Sequence, residues 1–167
     1  MMRWARDVVV AAAVLFLSAV TFAGEQPAAA PHPDFSGRWA LDLGQTRLQP
    51  GFPGGITSGV LRVTHAEPAF SFRRAFMRGG ESEVVEFTLI TDGREVAGSE
   101  DGMPTRSSLT WSGESLLYLV VYKAPRGEAR NTVKYTLADG GRTLRAEESF
   151  RGPRLSYDNV WVFTKAD

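Results

Sequence analysis

The sequence predicts an all-β chain, folded as an antiparallel up-and-down β-barrel of about eight to ten strands. Three observations predict it. Turn signals recur at short intervals, at Glu67-Pro68, Gly79-Gly80, Asp92-Gly93, Asp101-Gly102, Ser112-Gly113, Arg126-Gly127, Asp139-Gly140 and Gly152-Pro153, which is the spacing of hairpins. The segments between those turns have the length and composition of strands, and their apolar residues alternate. Beyond the first residues no stretch sustains an apolar period of about 3.6 residues, so connections are short and neighbours pair antiparallel. Closing such a meander removes the edges that an open sheet exposes. A two-sheet β-sandwich built from the same strands is the alternative.

The elements follow in order. Residues 1–23 read as a secretory signal peptide: Arg3 and Arg6 precede an apolar run from Val8 to Val20, and Thr21-Phe22-Ala23 offers the small residues of a cleavage site. The run is shorter than the roughly 20 residues a membrane-spanning helix needs. Residues 24–33, rich in Pro and Ala, read as a flexible leader. Residues 34–167 form a single barrel domain, with strands expected near 35–43, 59–65, 69–77, 83–91, 94–98, 104–111, 115–123, 129–137, 143–150 and 156–164. Residues 44–58, with Pro50, Pro53 and several glycines, form one long irregular connection. It either covers a barrel mouth or is a mobile surface loop.

Composition excludes several functions. Removing residues 1–23 takes away Arg3, Arg6 and Asp7 and leaves 17 basic and 18 acidic residues. That balance offers no field for nucleic acid. The absence of cysteine removes disulfides, thiol nucleophiles, thiolate metal sites and a lipidated anchor. The expectation is a soluble exported protein, periplasmic or secreted, without a membrane anchor.

Catalytic constellations are not legible. The two histidines, His32 and His65, lie far apart in the chain, and metal catalysis needs three or four ligands held together. No Gly-x-Ser-x-Gly elbow and no phosphate-binding glycine loop is present. No cofactor and no metal is expected. The carboxylates Glu81, Glu83 and Glu86, and Glu95 with Glu100 and Asp101, read as solvated charges, while the neighbours Glu147 and Glu148 point to opposite faces of a strand and cannot cooperate directly.

One strand is more informative. In residues 69–77 the even positions are Phe70, Phe72, Arg74 and Phe76, a guanidinium set in an aromatic row. If that row faces the interior, Arg74 needs an anion, because an unpaired buried charge is costly. The anion is either Glu148, which shares a strand face with Leu144, Ala146 and Phe150, or the carboxylate of a ligand. A second strand carries Leu116, Tyr118, Val120 and Tyr122 on one face and Leu117, Leu119 and Val121 on the other. A strand apolar on both faces is covered on both sides: its outer row packs under the leader or residues 44–58, or it marks an association surface.

The first strand opens Phe35-Ser36-Gly37-Arg38-Trp39-Ala40-Leu41-Asp42. This Gly-x-Trp resembles the start of lipocalins and related calycin barrels, and the longer motif resembles small exported bacterial proteins of unassigned function. Trp111-Ser112-Gly113 and the run from Tyr135 to Leu144 resemble the same group. The resemblance implies that Trp39 plugs the closed end of the barrel, that Gly37 permits its close approach and that Lys165 is the basic partner over it. It also adds weight to an interior Arg holding a carboxylate, as in fatty-acid-binding barrels, although the paired lid helices of those proteins are missing. The resulting expectation is an exported barrel binding a small apolar or anionic amphipathic ligand through Arg74, Phe70, Phe72, Phe76 and Tyr118. A filled barrel acting as a structural or protein-interaction module is the alternative, and an enzyme of unrecognised type ranks third.

Overall fold

The chain forms strands wherever β-branched and aromatic residues alternate with polar ones. In the computed structural model, which describes residues 32–50, 52, 54–124 and 127–166, ten strands follow one another. They are β1 (Gly37–Leu41), β2 (Ile56–Ala66), β3 (Ala69–Arg78), β4 (Glu81–Ile90), β5 (Val96–Glu100), β6 (Met103–Ser112), β7 (Ser115–Ala124), β8 (Gly127–Ala138), β9 (Thr143–Arg151) and β10 (Ser156–Ala166). No helix occurs among the described residues. The expected signal peptide and leader residues 24–31 lie outside the described residues.

Every pairing is antiparallel, and the ten strands make one sheet in the order β4-β3-β2-β1-β10-β9-β8-β7-β6-β5. Except for β4 and β5, consecutive strands are sheet neighbours, and β1 meets β10 with Trp39 opposite Lys165 and Leu41 opposite Phe163. The result is a nearly closed up-and-down barrel rather than a sandwich. The remaining opening lies between β4 and β5, which do not pair. β5 is five residues long, contains Gly98 and leaves four of its five residues exposed, so it has little to gain by burial. The β4–β5 connection is held instead by β6, through an Asp92–Thr110 bridge and a Gly93 N–H donated to the Leu109 carbonyl at 2.9 Å.

The inward rows meet in one apolar core. On β3 the even row points inward, with Phe70, Phe72 and Phe76 buried, while Arg73 faces out. One half of the barrel is filled: Phe35, Trp39, Leu61, Leu109 and Leu116 are fully buried. Trp39 donates its Nε1–H to the Phe35 carbonyl at 3.1 Å, and the Lys165 ammonium lies 5.3 Å from the Trp39 ring centre. Gly37 has φ of +140°, and a Cβ there would meet Lys165 Cε at 3.1 Å. Such a backbone conformation is open mainly to glycine.

A polar latch closes this end. The Phe35 N–H donates to His65 Nδ1 at 3.3 Å, which leaves the proton on Nε2, 2.9 Å from Glu67 Oε1. Glu67 also accepts from Trp111 Nε1 at 2.9 Å and from the Thr91 hydroxyl at 2.6 Å. Burial pushes the Glu67 carboxyl up, but its bonds from Thr91, His65 and Trp111 outweigh this and hold it below the usual carboxylate range. His32, near the end of the expected leader, stacks on Trp111 at 4.0 Å between ring centres.

The long connection after β1 is not an unattached loop. Arg47 and Val160 exchange two backbone hydrogen bonds of 2.8 Å, the Gln49 N–H donates to Asn159 Oδ1 at 3.0 Å, and the Asp158 N–H donates to Gln49 Oε1 at 2.8 Å. These bonds run the segment along β10 and deliver Phe52 to the open end of the barrel, edge-on to Tyr157 and Trp161. On the outside of β7, Val121 is buried, with Arg106 and Arg130 as its cross-strand neighbours. Their aliphatic stems are the kind of cover an apolar residue finds on a charged surface.

Candidate ligand-binding site

The half of the barrel away from Trp39 is not filled. A cavity of about 270 Å³ opens there, with aromatic walls from Phe52, Phe76, Tyr122, Phe150, Tyr157 and Trp161. The strand period of two brings these rings together: Phe150 pairs with Tyr157 across β9 and β10, and their rings stack 5.1 Å apart. Phe76 stacks on Trp161 at 4.9 Å. The void beneath, lined by Phe72, Tyr135 and Phe163 among others, is only about 20 Å³. A void of that size holds about one water.

Arg74 and Glu148 line both spaces. The Arg74 guanidinium carbon lies 4.5 Å from the Phe76 ring centre, a cation–π arrangement that partly replaces lost hydration. Its Nε is shielded from solvent and has no hydrogen-bond partner. Glu148 is buried, but among the described residues no ion pair joins it to Arg74. Its carboxylate accepts instead from Trp161 Nε1 at 2.8 Å, Asn131 Nδ2 at 2.9 Å and Asn159 Nδ2 at 3.3 Å. Three neutral donors therefore hold the anion, and the cation is left facing the cavity.

The rim is charged on both signs. Arg78 Nε lies 3.3 Å from Glu83 Oε2, and the Tyr122 hydroxyl donates to Glu100 Oε2 at 2.9 Å. Burial, then the Glu100 charge, pushes the Tyr122 phenol far up, and burial followed by the Glu148 charge pushes Tyr157 up to about 12. Both phenols are neutral donors at ordinary pH. A second space, about 410 Å³, occupies the gap between β4 and β5 and is bordered by Glu83, Glu86, Glu100, Asp101 and Tyr118. Tyr118 stacks on Phe87 at 4.5 Å, and burial raises its phenol.

The residues singled out in the sequence are thus spread over the barrel's length. Arg74 and Phe76 line the open cavity, Phe72 the small void beneath it, and Tyr118 the gap. Phe70 lies in the filled half, edge-on to Phe35 and His65, away from any of these spaces. Gly37, Trp39 and Lys165 form the packed end. Asn131, Tyr157 and Trp161 were not singled out, and Tyr122 and Phe150 were placed on strand faces but not among the ligand contacts. Asn131 had the same signal as Arg74, a polar side chain in an inward row, between Ala129 and Val133.

No family model and no curated protein matches this sequence. The fold does match solved structures. Secretory abundant heat soluble protein 4 from Ramazzottius varieornatus is 16% identical with a TM-score of 0.52, over 80% of this chain and 95% of that one. Zebrafish ileal bile acid-binding protein, solved with cholic acid, is 14% identical with a TM-score of 0.55, over 79% and 98%. Human cRBP IV is 17% identical with a TM-score of 0.56, over 80% and 99%. At these identities the likeness is one of fold: a lipocalin- and calycin-like barrel.

Proposed function

We propose that this chain is an exported binding barrel that holds one small apolar or amphipathic ligand in its open half, with the ligand's polar end at Arg74. The observation that carries the reading is the unpartnered, solvent-shielded Nε of Arg74 at an aromatic-walled cavity. A buried donor left unsatisfied costs about 1–3 kcal/mol, and a protein that retains one at a cavity gains on filling it. At about 270 Å³ the cavity lies just below the range of about 300–1,000 Å³ usual for ligand sites, so the ligand is compact or leaves part of itself in the mouth. The zebrafish protein of the same fold was solved with cholic acid, which supports a small amphipathic occupant. Export rests on the signal peptide read at residues 1–23, and Trp39, Gly37 and Lys165 act in this reading as the structural plug.

Fluorescence titration of Trp161 with a panel of medium-chain amphiphiles tests the reading. One saturable site is expected, lost in Val85→Trp, which places an indole in the cavity without altering the closed end. A filled barrel acting through its surface is the competing reading, favoured by the packed half around Trp39. It prevails if no amphiphile saturates and native mass spectrometry of protein from its own source shows the bare chain alone.

A further inference from the structure

We infer that the head group this site takes is neutral and carries both a hydrogen-bond donor and an acceptor, as an alcohol or a primary amide does, and that a carboxylate is disfavoured. The inference rests on the binding reading above and narrows it. Arg74 Nε is not the sole unsatisfied atom at the cavity, because Asn131 Oδ1 is also shielded from solvent and without a partner. One is a donor and the other an acceptor. Turning the Asn131 amide does not change this: its Nδ2 lies 2.9 Å from Glu148 Oε1, and rotation would set a carbonyl oxygen against a carboxylate, which accepts only.

A carboxylate satisfies half of this pair. It accepts from Arg74, but it presents only oxygens to Asn131 Oδ1, and it shares the cavity with the buried Glu148. The surrounding charge adds to the penalty. Arg74 and Arg78 line the cavity against Glu83, Glu100 and Glu148, a net of one negative charge before any ligand enters, and Arg78 already lies against Glu83. An anion entering such a site meets repulsion that water screens poorly. A hydroxyl or primary amide carries both the acceptor that Arg74 Nε lacks and the donor that Asn131 Oδ1 lacks, with no added charge. Sites that hydrogen-bond a ligand's O–H or N–H discriminate strongly against analogues lacking it, because the protein group is then left unpaired.

The test uses four ligands of one medium chain length, differing only at the head: alcohol, primary amide, methyl ester and carboxylate. They are titrated by calorimetry at about pH 8, where the acid is ionised. Alcohol and amide are expected to bind at least about tenfold tighter than the carboxylate, and also tighter than the ester, which accepts but does not donate. Glu148→Gln, which removes the buried anion at constant shape, is expected to narrow the gap between carboxylate and alcohol. An ester as tight as the alcohol overturns the donor requirement. A carboxylate as tight as the alcohol overturns the inference while leaving a binding barrel in place, and no saturation by any of the four overturns both.

Discussion

Replacing Glu148 by Leu strands three N–H donors, those of Trp161, Asn131 and Asn159. The two short bonds, at 2.8 and 2.9 Å, each go to a charged acceptor, where a hydrogen bond is worth roughly 1.5–3 kcal/mol. The third, at 3.3 Å, adds less. Leu fills most of the vacated volume and returns about 1–2 kcal/mol of apolar burial, so the net loss is about 3 kcal/mol. Arg74→Met works the other way. It forfeits the cation–π contact with Phe76, about 0.5–2 kcal/mol, but removes the cost of an unpaired Nε, about 1–3 kcal/mol. The empty barrel should therefore change by less than about 1 kcal/mol, since neither anion nor packing depends on that guanidinium. Urea melts of ligand-free protein at neutral pH, read at constant m, measure both. The double variant should stay within about 1 kcal/mol of Glu148→Leu alone, since Arg74 supplies none of that carboxylate's hydrogen bonds. If Arg74→Met costs as much as Glu148→Leu, and the double variant no more than either, the two side chains form an ion pair and the reasoning fails.

Three further outcomes are expected. Trp39→Ala removes a fully buried indole and its bond to the Phe35 carbonyl, and should cost about 3–5 kcal/mol; a loss below about 1 kcal/mol would remove Trp39 as the plug. Gly59→Ala places a Cβ 2.5 Å from Phe76 Cδ1; the overpacking should cost about 1–3 kcal/mol and, by displacing Phe76, weaken ligand binding as well, which calorimetry reads directly. All four tyrosines, Tyr118, Tyr122, Tyr135 and Tyr157, are raised above the ordinary phenol value by burial. Since folding favours their neutral forms, their contribution to stability is complete below about pH 10 and is lost as pH rises past it. Absorbance titration should show no phenolate at about pH 10 before unfolding begins, and normal titration there would contradict their burial.

The strands were legible because each has a period of two that its own residues display. β3 shows it in Phe70, Phe72, Arg74 and Phe76, and each of the ten strands overlaps its expected range, although β2 begins at Ile56, inside the connection expected over residues 44–58, and β5 runs two residues later than the expected 94–98. The gap was not legible. Whether β5 pairs with β4 depends on how ten twisted strands close, and nothing local to Val96–Glu100 reports that beyond its shortness and Gly98. The partner of Arg74 was open for a related reason. Glu148 was identifiable by face, but its capture by Asn131, Asn159 and Trp161 joins three strands in a register that only the closed barrel sets. The segment after β1 was ambiguous because its hydrogen bonds go to β10, more than a hundred residues away.

The position of the gap gives the barrel an unused order of assembly. Its only sheet neighbours that are remote in the chain are β1 and β10, while its free edges belong to two strands that are consecutive. A circular permutant that opens the chain between Asp92 and Val96 and links Ala166 to Asp34 would read β5 through β10 and then β1 through β4. Every hydrogen-bonded neighbour would then be consecutive, and Arg38 and Ala166, already paired, would flank the new turn. Lower contact order speeds folding. The permuted chain should therefore reach the same barrel faster than the natural one, with its ends at the gap where no ladder needs them.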